Sequence, residues 1–314
     1  MLAAASDVVL LAHVNPDADA LGSALALGLA LHRRGTGVHV SFGAPDRPAE
    51  SLRALDADGL VVPVSAVPEA PELLVVLDTG SVDRLGPLAS RVDAAGATLV
   101  VDHHVSNGGF GTHFLVEPTA EATAVIVLGL LDALGAPLDL AIARCLYAGL
   151  VTDTRNFRAA SARTHDMAAR LLVAGVDAEA VTRPLLDTHP FSWLGMLSAV
   201  LSTATLEPDE ARGLGLVWAC AGSEHIEGGR QEEVESIIDV LRTTAEAEVA
   251  MVLKQVGPAR WRANLRSKGG LDVAAAAATM GGGGHYSASG FTADGRVADV
   301  VEEVRQALAS APLL

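Results

Sequence analysis

Residues 7–23, DVVLLAHVNPDADALGS, join an uninterrupted apolar run to a cluster of polar side chains. The apolar run at the start is typical of a strand that is buried on both faces. The segment that follows, residues 22–34, is rich in leucine and alanine and predicts a helix that Gly35 ends. A buried strand that leads straight into a helix predicts an α/β fold.

The rest of the first half repeats this alternation. Further strands are predicted at residues 38–42, 73–77 and 97–101, and helices at residues 122–134, 138–151 and 164–174. Strands that alternate with helices predict a doubly wound, mainly parallel sheet. In such sheets ligands bind beyond the carboxyl ends of the strands, where His13, Asp78 and Asp102 fall.

The second half predicts a smaller α/β domain. Its strands are expected at residues 213–219, 248–256 and 260–267, and its helices at residues 232–245 and 272–280, with a last helix around Val297–Leu308. A length of 314 residues also favours two domains over one. We expect a first domain at residues 1–187, a connecting segment at 188–207 and a second domain at 208–314.

The composition narrows the class of protein. A formal charge of −16 argues against a long DNA or RNA ligand, because proteins that grip long nucleic acids present basic surfaces. The apolar runs are all shorter than the roughly 18 residues of a membrane span, and the N-terminus suits a strand better than a signal peptide. The isolated Cys145 and Cys220 suggest a reducing compartment, although a disulfide between them stays open. We therefore predict a cytoplasmic protein without a membrane partner.

Acidic residues and histidines follow several of the predicted strands. They form four short motifs, which contain His13, Asn15, Asp17 and Asp19, then Asp78, then Asp102, His103 and His104, and finally Asp153. Each residue alone has an ordinary explanation, such as an aspartate that caps a helix. Carboxylates that converge without a cation would repel each other, and divalent ions remove that conflict. Mixed carboxylate and imidazole ligands suit manganese, magnesium or iron, and their number favours two ions over one.

In order and spacing, these motifs resemble the four signature motifs of the DHH phosphoesterases. The resemblance covers nearly the whole chain and implies a pair of Mn²⁺ ions, with Mg²⁺ or another divalent ion as the alternative. It assigns His13, Asp17 and Asp78 to one ion and Asp19, Asp78, His103 and Asp153 to the other. Asp78 would bridge the ions, His104 would face the substrate phosphate, Asp102 would support the site and Asn15 would position the phosphate.

The second domain carries a matching signal. Residues 265–268, LRSK, precede residues 281–285, GGGGH, and the pair resembles the substrate-binding domain called DHHA1. Glycine-rich turns bring backbone amides close to an anion, and arginine offers a planar fork that matches phosphate. The resemblance implies an active site in the cleft between the domains. It assigns substrate binding to Arg266, Ser267, Gly282, Gly283, Gly284 and His285.

Within this family the compact, acidic, two-domain chain resembles the NrnA type. That type implies hydrolysis of short oligoribonucleotides to mononucleotides and of 3'-phosphoadenosine 5'-phosphate (pAp) to AMP, by a protein that forms a homodimer. Residues 232–237 and 242–244 resemble a branch that also cleaves cyclic di-AMP. Arg155 stands where relatives often have glycine, and Ser289 stands in place of the usual alanine.

The sequence leaves three alternative functions open. A family II pyrophosphatase would share the first domain but fits the second poorly, and a RecJ-like exonuclease on single-stranded DNA fits the acidic charge poorly. A non-catalytic sensor of cyclic dinucleotides belongs to a different class of protein. It would be favoured by the loss of metal ligands, and none of the expected ligands is missing.

Overall fold

The computed structural model describes residues 1–314, which divide into two compact units, Met1–Thr188 and His189–Leu314. The first unit contains a five-stranded sheet in which every pair of neighbouring strands is parallel, in the order β2-β1-β3-β4-β5. Its strands are β1 Asp7–Ala12, β2 Gly37–Phe42, β3 Leu73–Leu77, β4 Ala97–Asp102 and β5 His113–Val116. Its α-helices are α1 Ala18–His32, α2 Arg91–Ala94, α3 Thr123–Ala133, α4 Leu140–Asp153, α5 Ala162–Val173 and α6 Ala178–Leu186.

Both faces of this sheet are covered, as the predicted doubly wound sheet requires. Alternate residues of β1 enter different cores: Leu10 packs with α1, α3 and α4, whereas Leu11 packs on the opposite face. That second face is covered by short 3-10 turns and by α2, through Leu85, Leu88 and Val92. A strand buried on both faces accounts for the continuous apolar run at residues 8–12.

Helix α1 begins earlier than the sequence suggested, at Ala18 rather than Gly22. The reason is local, because the side chain of Asp17 accepts hydrogen bonds from the amides of Asp19 and Ala20 and so caps the helix. Strand β5 and helix α6 were not anticipated. β5 has exposed residues at Phe114 and His113, so it lacks the apolar run that marks the buried strands.

The second unit contains a six-stranded mixed sheet in the order β10-β11-β9-β8-β7-β6, with β7 and β8 parallel and the other pairs antiparallel. Its strands are β6 Thr205–Glu207, β7 Leu216–Ala221, β8 Val249–Gly257, β9 Arg260–Ser267, β10 Gly283–His285 and β11 Ala288–Asp294. Its helices are α7 Phe191–Leu201, α8 Glu210–Gly213, α9 Ser223–Ile226, α10 Gln231–Leu241, α11 Val273–Thr279 and α12 Val297–Ser310.

The segment 188–207, which the sequence left as a connection, is not a loop. It contains α7 and β6, and α7 buries Met196 and Val200 in a core with β7, β8 and α10. The apolar residues of this segment are therefore used in packing within the second unit. The opposite face of the sheet packs against α11 and α12.

The cysteines and the helix lengths add two smaller findings. Cys145 and Cys220 are both free thiols, so the disulfide that the sequence left open is absent. None of the helices combines the length and the apolar character that a membrane crossing requires.

Helices α1 and α4 approach each other closely because Gly22 lies at their contact. A Cβ atom on Gly22 would lie 2.4 Å from the carbonyl oxygen of Cys145. We expect Gly22→Ala to lower the free energy of unfolding by about 1–3 kcal/mol, because the helices must move apart to admit the methyl group. Urea denaturation of the purified protein measures this change.

Gly129 provides the matched control, since it lies in the exposed part of α3 and an added Cβ would meet nothing within 4 Å. Gly129→Ala should leave stability unchanged or raise it by about 0.4–1 kcal/mol. Equal stability of the two variants would contradict the close-packing argument.

Candidate metal centre

The first unit gathers the four sequence motifs at one edge of its sheet. Strands β1, β3 and β4 are neighbours in the sheet. The residues that directly follow their carboxyl ends are His13, Asp78 and His103. Asp153 reaches the same place from the last residue of α4. The parallel arrangement therefore brings together residues that are far apart in the sequence.

Asp78 occupies the centre of this cluster and is almost completely buried. Its backbone lies in the left-handed region, with φ of 53°, and its amide donates a hydrogen bond of 3.0 Å to the carbonyl of Val101. One carboxylate oxygen, Oδ2, lies 3.7 Å from Nε2 of His13, and the other, Oδ1, lies 3.4 Å from Nε2 of His103. The two oxygens of Asp78 thus face two histidines on different sides.

His13 and Asp17 form the first group around Asp78. Nδ1 of His13 lies 2.8 Å from the carbonyl oxygen of Val14, and a carbonyl can only accept, so Nδ1 carries the proton. In the neutral ring, Nε2 then offers a lone pair toward the carboxylates of Asp17 and Asp78, each 3.7 Å away. Asp17 serves two purposes, because one of its oxygens caps α1 while the other faces His13.

His103, Asp19 and Asp153 form the second group. Nδ1 of His103 lies 3.1 Å from the carbonyl oxygen of Ala120, so its Nε2 points at Asp153 and Asp78, at 3.3 Å and 3.4 Å. Ligand atoms of Asp19, Asp78 and His103 all lie within 4.8 Å of one another. The two groups share Asp78.

This arrangement fits divalent ions better than direct hydrogen bonding. Ligands that surround a small divalent ion at about 2.1 Å in octahedral geometry lie about 3 Å apart, and the separations here are close to or slightly above that value. Each ligand histidine is oriented by a backbone carbonyl through its other nitrogen, as is usual for metal-binding histidines. The residues present are therefore able to bind a divalent metal.

The charges of the cluster lead to the same conclusion. Burial raises the pKa of Asp153 to about 6, and repulsion from Asp17 and Asp78 adds to this shift, while His103 partly opposes it. Burial also raises the pKa of Asp19 well above its usual range, again with repulsion from Asp153 and Asp78. Burial would lower the pKa of His103, but hydrogen bonds and charges from Asp153 and Asp78 outweigh it and raise that pKa to about 12. Excess negative charge is thus the dominant feature, and a cation relieves it.

Asp102 and His104 form a separate hydrogen-bonded pair beside Asp78. Oδ1 of Asp102 accepts from Nδ1 of His104 at 2.7 Å and from the amide of His103 at 2.9 Å, and its Oδ2 accepts from the side chain of Asn107 at 2.7 Å. The Asp102 side chain is completely buried. It therefore orients His104 and the His103 backbone.

Several contributing residues were missed by the sequence analysis. Thr123, the first residue of α3, donates from Oγ1 to Oδ1 of Asp78 at 2.9 Å, and its amide donates to Oδ2 of Asp19 at 2.6 Å. The amide of Ala124 donates to Oδ1 of Asp19 at 2.9 Å, so Asp19 caps a helix other than its own. Gly149 leaves room for this carboxylate, since a Cβ there would lie 2.5 Å from Oδ1 of Asp19. A threonine at a helix start was the available signal for Thr123, but nothing local connects it with Asp78.

Asn15 and Arg155 lie near the cluster in left-handed backbone conformations, with φ of 52° and 53°. The amide of Asn15 donates to the carbonyl of Ala44, which fixes this turn after β1. Arg155 is exposed to solvent. Its left-handed conformation gives a physical reason why glycine suits this position.

The substrate residues expected in the second unit lie on two faces of its sheet. Arg266 and His285 share one face, because each is opposite Ala288 in the pairing of β9, β11 and β10. Ser267 lies on the other face, where its hydroxyl donates to Glu248 at 2.8 Å and accepts from the amide of Gly269. The structure thus separates Ser267 from Arg266 and gives it a structural role.

The second half of the glycine run, Gly283 and Gly284, is part of strand β10. A Cβ on Gly282 would lie 2.1 Å from the carbonyl of Gly290, and one on Gly284 would lie 2.5 Å from the carbonyl of Ala288. These two glycines let β10 pack tightly against β11. Gly283 differs, since nothing lies within 4 Å of the position that its Cβ would occupy.

Comparison with known proteins agrees with this architecture. Residues 7–150 match the DHH family, N-terminal domain, and residues 222–310 match the DHHA1 domain. The chain is 32% identical to the bifunctional oligoribonuclease and PAP phosphatase NrnA of Thermus thermophilus, over 96% of this chain and 90% of that protein. It is 26% identical to the cyclic-di-AMP phosphodiesterase GdpP of Geobacillus thermodenitrificans, over 98% of this chain and 48% of that protein.

A solved structure shows the same fold over nearly the full length. The exopolyphosphatase-related protein of Bacteroides fragilis superimposes with a TM-score of 0.86 at 22% identity, covering 98% of this chain and 93% of that one. The family match and the NrnA relative identify a hydrolase that acts on phosphoester bonds. The chain belongs to the DHH family of phosphoesterases, with an N-terminal DHH domain and a C-terminal DHHA1 domain.

The hydrogen bond from Thr123 to Asp78 leads to a prediction about metal affinity. Thr123→Val keeps the shape of the side chain but removes the donor, so Asp78 loses one of the contacts that orient it. We expect Mn²⁺ affinity, measured by titration calorimetry, to fall about 10–100-fold. Thr123→Ser keeps the hydroxyl and should retain most of the affinity; similar losses in both variants would contradict the hydrogen-bond role.

The raised pKa values of Asp153 and His103 predict how the metal-free protein responds to pH. Both groups bind protons more tightly in the folded state, so stability falls as pH rises from about 4 to 6 through Asp153 and further above about 6.5 through His103. We expect the melting temperature of the metal-free protein to decrease between pH 5 and pH 8, and the increase caused by added Mn²⁺ to grow over the same range. In Asp153→Asn the decrease below about pH 6 should be smaller; an unchanged profile would contradict the assignment.

Proposed function

We propose that this protein is a manganese-dependent, two-metal phosphoesterase that hydrolyses short oligoribonucleotides to mononucleotides and pAp to AMP. The observation that carries the proposal is the buried Asp78 carboxylate, whose two oxygens face two separate groups of metal ligands. Similarity to NrnA over nearly the whole of both chains supports the choice of substrates. In the proposed ligand sets, His13, Asp17 and Asp78 hold one ion, and Asp19, Asp78, His103 and Asp153 hold the other.

A bound pair of divalent ions supplies hydroxide at neutral pH and neutralises charge on the phosphoryl oxygens. The protein's own residues provide orientation. Asp102 accepts from Nδ1 of His104 and so leaves the opposite nitrogen of that ring available for a substrate. His104 would then donate a hydrogen bond to the phosphate or to the leaving group.

The second unit provides the proposed substrate contacts. Arg266 and His285 lie on one face of the sheet, opposite the same residue of β11, and both carry donors that suit a phosphate. The net charge of −16 disfavours a long polyanion. Recognition of a short nucleotide by a few local cationic groups is compatible with such an acidic chain.

Cyclic di-AMP is a second candidate substrate, because 98% of this chain is similar to GdpP, a cyclic-di-AMP phosphodiesterase. The similarity covers 48% of GdpP. We further propose that the protein forms a homodimer, which a mass measurement in solution tests. The competing functions are hydrolysis of pyrophosphate, hydrolysis of long single-stranded DNA and non-catalytic binding of a cyclic dinucleotide.

The substrate assignment is tested by Mn²⁺-dependent hydrolysis of diadenylate, pAp, cyclic di-AMP, pyrophosphate and long single-stranded DNA by the purified protein. We expect turnover of diadenylate and pAp, and little of pyrophosphate or long DNA. Preference for either of the last two would replace the substrate assignment but keep the metal site. Tight binding of cyclic di-AMP without turnover of any substrate would support the sensor.

The metal assignment is tested by Asp78→Ala. Because Asp78 faces both ligand groups, its loss should reduce turnover of every substrate by at least about a thousandfold. Asp93→Ala, which removes an exposed acid from the same unit, serves as the control and should keep full activity. Normal turnover in Asp78→Ala would overturn the two-metal proposal.

A further inference from the structure

One face of the second-unit sheet carries two cationic rows with glycines between them. The strand register places His285, Ala288 and Arg266 side by side, then Gly283, Gly290 and Asn264, then Thr292, Arg262 and Lys254. Helix α10 covers the neighbouring strands β7 and β8 on this face but leaves β9, β11 and β10 largely uncovered. We call the face formed by these three rows the shelf.

One cation of the shelf, Arg262, has no acidic partner within the protein. Arg262 is exposed, and the structure gives it no acidic partner, whereas Arg260, Arg296 and Arg305 are each paired with a carboxylate. Burial lowers the pKa of Lys254; Glu235 opposes this shift, while the charges of Arg262 and Arg266 reinforce it. The charges of both arginines therefore reach Lys254.

Glu235 organises the middle of the shelf. One of its carboxylate oxygens forms an ion pair with Nζ of Lys254 at 2.5 Å, and the other accepts a hydrogen bond from Nδ2 of Asn264 at 2.5 Å. This single acid is the partner of Lys254 and holds the Asn264 amide in a defined orientation. Glu235 does not pair with Arg262, so the guanidinium of Arg262 is available to bind an anion from outside the protein.

The middle row of the shelf carries no side chain on β10 and β11. Gly283 and Gly290 lie in the middle row, and no atom lies within 4 Å of the position that a Cβ of Gly283 would occupy. Arg266 and Arg262 are four residues apart on β9, so their Cα atoms are separated by about 13 Å along the strand. Two arginine side chains at that separation can hold two anionic groups that belong to one small molecule.

We propose that Arg262 forms a second anion subsite, which holds a phosphate one nucleoside unit away from the phosphate held by Arg266 and His285. The ligand class is a linear nucleotide with two separated phosphate groups, such as a 5'-phosphorylated dinucleotide, and its nucleoside lies over Gly283, Gly290 and Asn264. This inference rests on the proposed function for the role of Arg266 and His285. It adds a preference for substrates that carry a terminal phosphate.

The test compares 5'-phosphorylated diadenylate with unphosphorylated diadenylate as substrates of the wild-type protein and of Arg262→Ala. We expect Arg262→Ala to raise KM for the phosphorylated substrate about tenfold or more, with kcat little changed, because a charge-assisted contact to the distal phosphate is lost. KM for the unphosphorylated substrate should stay the same. Arg262→Lys should recover part of the difference.

Arg296→Ala is the matched control, because it removes the same charge from an exposed position of the second unit outside the shelf. It should leave the ratio of the two KM values as in the wild type. An equal ratio in Arg262→Ala and in the wild type would overturn the subsite. A parallel loss in Arg296→Ala would also overturn it, by attributing the effect to overall charge.

A binding measurement separates failure of this subsite from failure of the proposed function. Titration calorimetry measures the binding of 5'-phosphorylated diadenylate to two variants. One is Asp78→Ala, which should not hydrolyse the ligand, and the other combines Asp78→Ala with Arg262→Ala. Weaker binding in the double variant supports the subsite, whether or not the wild type hydrolyses the dinucleotides. Lack of hydrolysis by the wild type would contradict the proposed function and leave the subsite in place. Equal binding in the two variants, or no binding to either, overturns the subsite.

Discussion

The buried carboxylate of Asp78 is the constraint on which the first unit depends. It lies at the end of a central strand with its two oxygens directed at His13 and His103. A carboxylate in this position needs compensating donors and charge, because a buried ion without partners is costly. Thr123 supplies one donor, and divalent ions held by the two ligand groups would complete the compensation.

Helix α3 links this site to the rest of the fold. Its first amides bind Asp19, and its first side chain binds Asp78, so the start of one helix orients two acids from different motifs. The free amides of a helix N-terminus favour an acidic partner. Close packing of α1 and α4 around Gly22 and Gly149 keeps Asp19 beside that terminus, so stability and site geometry depend on the same contacts.

The second unit follows a different principle. Tight pairing of β10 with β11 requires the glycines, and the resulting face carries cationic side chains where most of the chain is acidic. Localised positive charge on an acidic protein suits a small anionic ligand, because a long polyanion would be repelled by the surrounding surface. The DHHA1 domain is therefore suited to short nucleotides by its shape and by its charge.

The sequence by itself determined the two-domain α/β architecture, the parallel sheet and the family. Continuous apolar runs followed by polar motifs are local signals, and their order along the chain is specific to the DHH family. It also identified the residues that the structure gathers around Asp78. These inferences succeeded because parallel strands bring their carboxyl ends to one edge, whatever the lengths of the connections.

Other features were decided only by the tertiary structure. Helix α7 buries Met196 and Val200 in a core with β7 and α10, and these partners follow it in the chain, so residues 188–207 looked like a connection in the sequence. The roles of Thr123, Asn107 and Gly149 depend on partners far away in the sequence, and the separation of Ser267 from Arg266 depends on the alternation of side chains along β9. Local sequence patterns record propensity and burial, but long-range hydrogen bonds and close approaches arise only when the elements pack together.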